Sequence, residues 1–157
     1  MVQKRLLKQL NKLRAKSQKR ATEVRIYCVN TNKKYHNKRW RERFFYENRV
    51  FTCCLKQLDL DLIEQGDLIL AYHNDKRVVG VGVALEKGRQ EDNCKNIKTL
   101  AVKWLWYSLN KKEYINLDSI GNPSFFNATV IDWTKDIDKV ELFKILAEKI
   151  SKKGAKE

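Results

Sequence analysis

The sequence predicts an α+β fold in which six or seven short strands form a twisted, mixed or largely antiparallel β-barrel flanked by short helices. Three observations lead there. Between residues 23 and 134, short apolar and β-branched runs recur with polar turns between them. These runs do not alternate regularly with helical patterns, so a doubly wound parallel sheet fits less well. The chain then closes on an amphipathic helix with Val140, Leu142, Phe143, Leu146 and Ile150 in its apolar stripe. At 157 residues, with 43% hydrophobic composition, the chain is large enough for one domain with its own core. The expected organisation is a basic helical extension at 1–22, the domain at 23–152 and a disordered tail at 153–157.

Taken in order, the first segment places Leu6, Leu10 and Leu13 at helical spacing, with Leu7 beside them. Lys4, Arg5, Lys8, Lys12, Arg14, Lys16, Lys19 and Arg20 precede the first acid, Glu23. Glu23–Asn30 has usable hydrophobic residues on both faces and reads as a central strand, broken by Asn30-Thr31-Asn32. Asn37 is a candidate cap for a helix in which Trp40 and Phe44 share one face and Arg39 and Arg43 the next. Val50–Leu55 is a strand. Leu58–Gln65 is a helical turn offering Leu58, Leu62 and Ile63 to the core and ending at Gly66, a residue suited to a C-terminal cap. Asp67 is expected to accept hydrogen bonds from turn backbone N–H groups.

Leu68–Tyr72 and Arg77–Leu85 form an antiparallel hairpin through the turn His73-Asn74-Asp75-Lys76. Gly80 and Gly82 lie on one strand face, so side chains or a ligand must approach that face closely. Glu86–Lys98 has mixed charge and no periodicity, and is expected to be a mobile loop. In the following strand, alternation puts Trp104 and Trp106 on one face, as lid of a core or wall of an aromatic pocket. Lys111–Asp118 is expected to be an edge strand, Ser119–Asn127 a turn and Ala128–Trp133 a last strand. Thr134, Asp136 or Asp138 caps the final helix, and SKKGAKE is expected to fray.

The formal charge is +14, from 33 Lys and Arg against 19 Asp and Glu, which implies a polyanionic partner, DNA or RNA first. Basic residues threaded through aromatics, Lys33, Lys34, Lys38, Arg39, Arg41 and Arg43 among Tyr35, Trp40, Phe44, Phe45 and Tyr46, suit phosphate contact combined with base stacking. Cys28, Cys53, Cys54 and Cys94 lack zinc-site spacing and are expected as free thiols, so neither metal nor cofactor is predicted. No apolar run approaches the roughly 18 residues of a membrane span, and no secretory hydrophobic region opens the chain. No membrane partner is therefore expected, and the predicted location is cytoplasmic or nucleoid-associated. Nucleotide-binding loops, HExxH and GxSxG are all missing, and no catalytic residue is assigned.

Gly66-Asp67, then Tyr72-His73-Asn74, then Val78-Val79-Gly80-Val81-Gly82 resembles the central signature of EVE domains. These are a branch of the PUA-like barrel superfamily that also holds the YTH and ASCH domains. A looser likeness runs from Val24 to Trp133. The resemblance implies a PUA-like barrel that takes a modified or extruded base into an aromatic pocket. It also implies a pocket mouth at Asn30, the segment from Lys33 to Trp40, and the turn Tyr72-His73-Asn74. Where EVE domains usually carry serine after the histidine, this chain has Asn74, and its first strand lacks the usual tryptophan. Trp40, Trp104 and Trp106 are then the candidate cage walls, and the basic residues of 1–20 an auxiliary grip on the backbone.

Two other classes compete. One is a metal-dependent nuclease or ASCH-like base-modifying enzyme drawing on Glu86, Glu91 and Asp92 near Lys95 and Lys98. The other is an interaction module in which residues 1–20 form a homodimer or pair with a partner's helix.

Overall fold

The computed structural model describes residues 8, 9, 11, 12, 25–31, 40–53, 60, 62–73, 77–87, 89–91, 94–121, 130–135 and 137–154. Its strands are β1 (Ile26–Asn30), β2 (Arg49–Cys53), β3 (Leu68–His73), β4 (Arg77–Ala84), β5 (Arg89–Glu91), β6 (Cys94–Tyr107), β7 (Ile115–Asn116) and β8 (Val130–Asp132). Among the described residues, α1 (Trp40–Tyr46) and α2 (Lys139–Gly154) flank them. The sheet is mixed and strongly curled into a half-barrel, in the order β2-β6-β4-β3-β1-β8, with β5 added to β6 and β7 to β4. Only β1 and β3 pair in parallel among the described strands; the other pairs are antiparallel.

Burial on both faces explains why β1 carries no alternating polar pattern: it lies between β3 and β8, and Ile26 to Val29 are all buried. Cys28 has its thiol enclosed there, and burial pushes its pKa well up. One core lies under α2, where Ile26, Leu70, Tyr72, Leu105 and Trp106 meet Leu142, Phe143, Leu146 and Ile150. The other lies on the opposite face of the sheet, where Tyr27, Ile69, Val79 and Val102 meet Phe44 and Phe45 of α1 together with Leu60 and Ile63. Asp138 caps α2, its Oδ1 accepting from the Glu141 N–H at 3.1 Å. Val140, expected in the apolar stripe, is instead 41% exposed. The helix continues through Ser151–Gly154, in place of the expected fraying.

Several expectations need correction. Glu86–Lys98 is not one long loop: Arg89–Glu91 and Cys94 onward are strands. Thr99 of β6 pairs with Phe51 on one side and Arg89 on the other, so ladder hydrogen bonds hold a segment that lacks an apolar pattern. Lys111–Asp118 is not a continuous edge strand. Lys111–Glu113 is a 3-10 turn, with the Asn110 side chain accepting from the Lys112 N–H, and only Ile115–Asn116 pairs, beside Arg77 and Val78. Leu62 is exposed and Leu60 takes the core position, while the Leu62 carbonyl accepts from the Tyr27 hydroxyl at 3.1 Å. Leu58 lies outside the described residues.

Candidate functional site

Parallel pairing sends β1 and β3 to the same rim of the sheet, where Asn30 stands opposite Tyr72. Thr31 fastens this corner. Its N–H and its Oγ1 both donate to the Tyr72 carbonyl, at 2.8 and 2.9 Å, and the residue is fully buried. β4 begins at the same rim with Arg77 opposite His73, and β7 lies beside it. Asn30 and His73 are half-buried, and the imidazole lies 5.7 Å from the Tyr114 ring at 42°. Register puts Asn30 on the Tyr72 face of the sheet and His73 on the other face, beside Tyr114, so the amide and the imidazole flank the rim from its two sides, and each can hydrogen-bond a planar polar ligand that reaches its side.

Tyr72, the residue before His73, points into the core beneath α2 rather than outward. Burial, reinforced by the neighbouring Cys28 and Asp118, pushes its hydroxyl pKa well up.

The two tryptophans do not share a face. Val81 pairs with Trp106 and Gly82 with Trp104, so Leu105 is an extra residue in β6, and this bulge reverses the alternation. Trp104 packs on the core beside α1 and Trp106 in the core under α2. The Trp104 indole N–H donates to the Phe44 carbonyl at 2.7 Å, tying β6 to α1. Gly80 and Gly82 make room for this arrangement. A Cβ on Gly80 would meet Phe45 Cε1 at 2.5 Å, and one on Gly82 would meet Val102 Cγ1 and Trp104 Cε3. Side chains, not a ligand, occupy the space that the glycines open.

Sequence reasoning missed the neighbouring aromatic stack. Phe45 lies flat on Tyr107, 4.5 Å between centroids and 5° between planes, with Trp104 edge-on to Phe45 at 4.8 Å. Simple alternation assigns Tyr107 to the face opposite both tryptophans, and only the bulge turns it toward Phe45.

Of the proposed backbone contacts, Lys8 and Lys12 are helical and exposed. Arg43 donates to Glu47 at 2.5 Å and lies over the Phe51 ring at 4.6 Å. Arg41 and Trp40 are described only as helix backbone. Lys4, Arg5, Arg14, Lys16, Lys19, Arg20, Lys33, Lys34, Lys38, Arg39 and Asn74 lie outside the described residues.

At the opposite rim, Glu86 Oε1 accepts from Arg49 Nη2 at 2.5 Å and from the Ala101 N–H at 3.1 Å, while Arg49 Nε donates to the buried Thr99 hydroxyl at 2.8 Å. Glu86 is thus part of a network joining β2 to β6. The side chains of Glu91, Lys95 and Lys98, and the whole of Asp92, lie outside the described part of the chain.

No family model matches this chain, and neither does any curated protein. Among solved structures it is similar to the NMR structure of Rpa0253 from Rhodopseudomonas palustris, at 13% identity and a TM-score of 0.48, over 82% of this chain and 94% of that one. A likeness at that level supports no inference about function.

Proposed function

We propose that the chain is an EVE-type member of the PUA-like superfamily that binds nucleic acid and reads a modified or extruded base at the rim where β1 and β3 end. One observation carries the reading: Asn30 and His73, assigned to a pocket mouth from separate stretches of sequence, stand at adjacent strand ends held in register by Thr31. The net charge of +14 supports a polyanionic partner. An extruded base is recognised by stacking and by one or two hydrogen bonds to its Watson–Crick edge, while cations hold the distorted backbone. In this reading His73 hydrogen-bonds the base from the Tyr114 side of the rim and Asn30 contacts the nucleotide where β1 ends, while lysines and arginines, those of 33–43 first, supply salt-dependent affinity with little dependence on sequence.

The test is a binding series over modified and unmodified, single- and double-stranded DNA and RNA at two salt concentrations. One base or modification is expected to be preferred. His73→Ala should weaken binding of that preferred form by about tenfold, the worth of one hydrogen bond, without changing the salt slope. Equal affinity for every form would sink base reading and leave generic binding.

A further inference from the structure

The Phe45–Tyr107 stack has features of a built surface rather than of a stray exposed ring. Tyr107 is 39% exposed, while Phe45, flat against it, is 3% exposed. One face of the tyrosine is therefore covered and its exposed area belongs to the other face and the ring edge. The backing ring cannot retreat, since its edge rests on Gly80 and Trp104 packs edge-on against it, with the Trp104 indole fixed to the Phe44 carbonyl. An aromatic side chain held this way presents a flat apolar area with little conformational entropy left to lose on binding.

The segment after Tyr107 is equally fixed. The Ser108 N–H donates to the Val79 carbonyl at 2.9 Å, and the Ser108 hydroxyl donates to Glu113 Oε2 at 2.5 Å and accepts from the Asn110 N–H at 3.1 Å. These bonds fold residues 108–113 into a compact turn that carries Lys111 and Lys112, both exposed, just beyond Tyr107. The next residue, Tyr114, is the ring beside His73. The turn therefore links the stack to the rim of β1 and β3.

We propose that Tyr107, backed by Phe45, is a stacking platform for an unpaired base of single-stranded nucleic acid, and that Lys111 and Lys112 hold the adjoining phosphates. The chemistry selects this occupant. A flat ring followed, within one compact turn, by two exposed cations matches a base next to its phosphates, in a protein whose charge is +14. The platform rests on the nucleic-acid reading above and deepens it, assigning a second nucleotide to a place beside the one at the rim.

The experiment uses the full chain with short single-stranded DNA and RNA oligonucleotides of mixed sequence, with affinities measured at several salt concentrations. Tyr107→Ala is expected to weaken binding about 5- to 100-fold with the salt slope unchanged, and Tyr107→Phe to bind like the parent. Replacing both Lys111 and Lys112 by alanine is expected to reduce the slope of log K against log salt by about 1.4, the share of two phosphate contacts on a single strand. Should Tyr107→Ala not fold, Tyr107→Trp carries the test: quenching of the added indole fluorescence by the oligonucleotide supports the platform, and unchanged emission overturns it. Parent-like binding by Tyr107→Ala, with His73→Ala impaired, overturns the platform and leaves the rim reading standing. Loss with Tyr107→Ala alone supports the platform and counts against His73. If the parent protein binds none of the oligonucleotides, both proposals fall.

Discussion

Gly82 and Gly80 are tight for different reasons. A methyl group on Gly82 would meet the Val102 side chain, Trp104 Cε3 at 2.9 Å and the Lys103 carbonyl oxygen at 3.0 Å. Neither a β-branched side chain nor a backbone oxygen swings aside cheaply. On Gly80 the obstacle is the Phe45 ring, which Trp104 and Tyr107 flank. Both alanine substitutions should cost about 1–3 kcal/mol by overpacking, with Gly82→Ala the larger, read as a lower urea midpoint at unchanged m value. Gly66 is a contrast: its φ is 93° with nothing within 4 Å, so Gly66→Ala should cost about 1–2 kcal/mol through backbone strain alone.

Asp67 adds a pH dependence. Burial raises its carboxyl pKa above the ordinary value, opposed by the Glu64 N–H donating to Oδ2 at 2.9 Å and by Arg25. A raised pKa means that the folded state holds its proton longer, so this group's contribution to stability declines as pH rises from about 3.8 through the raised value. Asp67→Asn keeps an oxygen for the Glu64 N–H and should remove that decline, seen as a smaller loss of stability between acid and neutral pH than in the parent. Both readings at this scale are open to sequence: the glycine spacing calls for a close approach, and an aspartate after a helical turn calls for backbone donors. Whether side chains or a ligand come close to the glycines depends on α1, whose position no local pattern encodes.

At the scale of elements, α1 shows how little a short helix owes to itself. A seven-residue helix is not stable alone. It is held by Phe44 and Phe45 in the core on its face of the sheet and by the Trp104 indole on the Phe44 carbonyl. Trp104→Phe keeps an aromatic ring and deletes the donor, so the expected loss is about 1–2 kcal/mol. Amide exchange in α1 should rise more than in β3 and β4, and uniform acceleration would show that the bond supports the whole domain instead. Strands with a dense apolar content, β1, β3 and β4, are legible because burial writes their pattern. β5 and the start of β6 are not, since backbone pairing on both sides of Thr99 substitutes for apolar periodicity. One inserted residue, Leu105, hides the rest: period-two reasoning fails from a bulge onward, which misassigns both Trp106 and Tyr107.

For the whole molecule, charge and fold pull in opposite directions. The sheet is curled between two cores, and neither core uses the excess of cations that gives the net charge of +14. That excess repels itself in the folded state, and screening relieves the repulsion. Adding salt to the protein alone should therefore raise its thermal midpoint. On the proposed nucleic-acid reading, a single-stranded oligonucleotide that binds the folded state adds RT ln(1 + [L]/Kd), and salt then acts in reverse, because each phosphate contact loses the advantage of counterion release. The oligonucleotide-induced rise in midpoint should shrink with salt while the midpoint of the free protein climbs, so the two curves converge. Parallel curves would mean that the oligonucleotide is held without phosphate contacts, and a free-protein midpoint that falls with salt would mean that ion pairs such as Arg49–Glu86 outweigh the repulsion. Only convergence agrees with a fold whose cations are kept for a polyanionic partner.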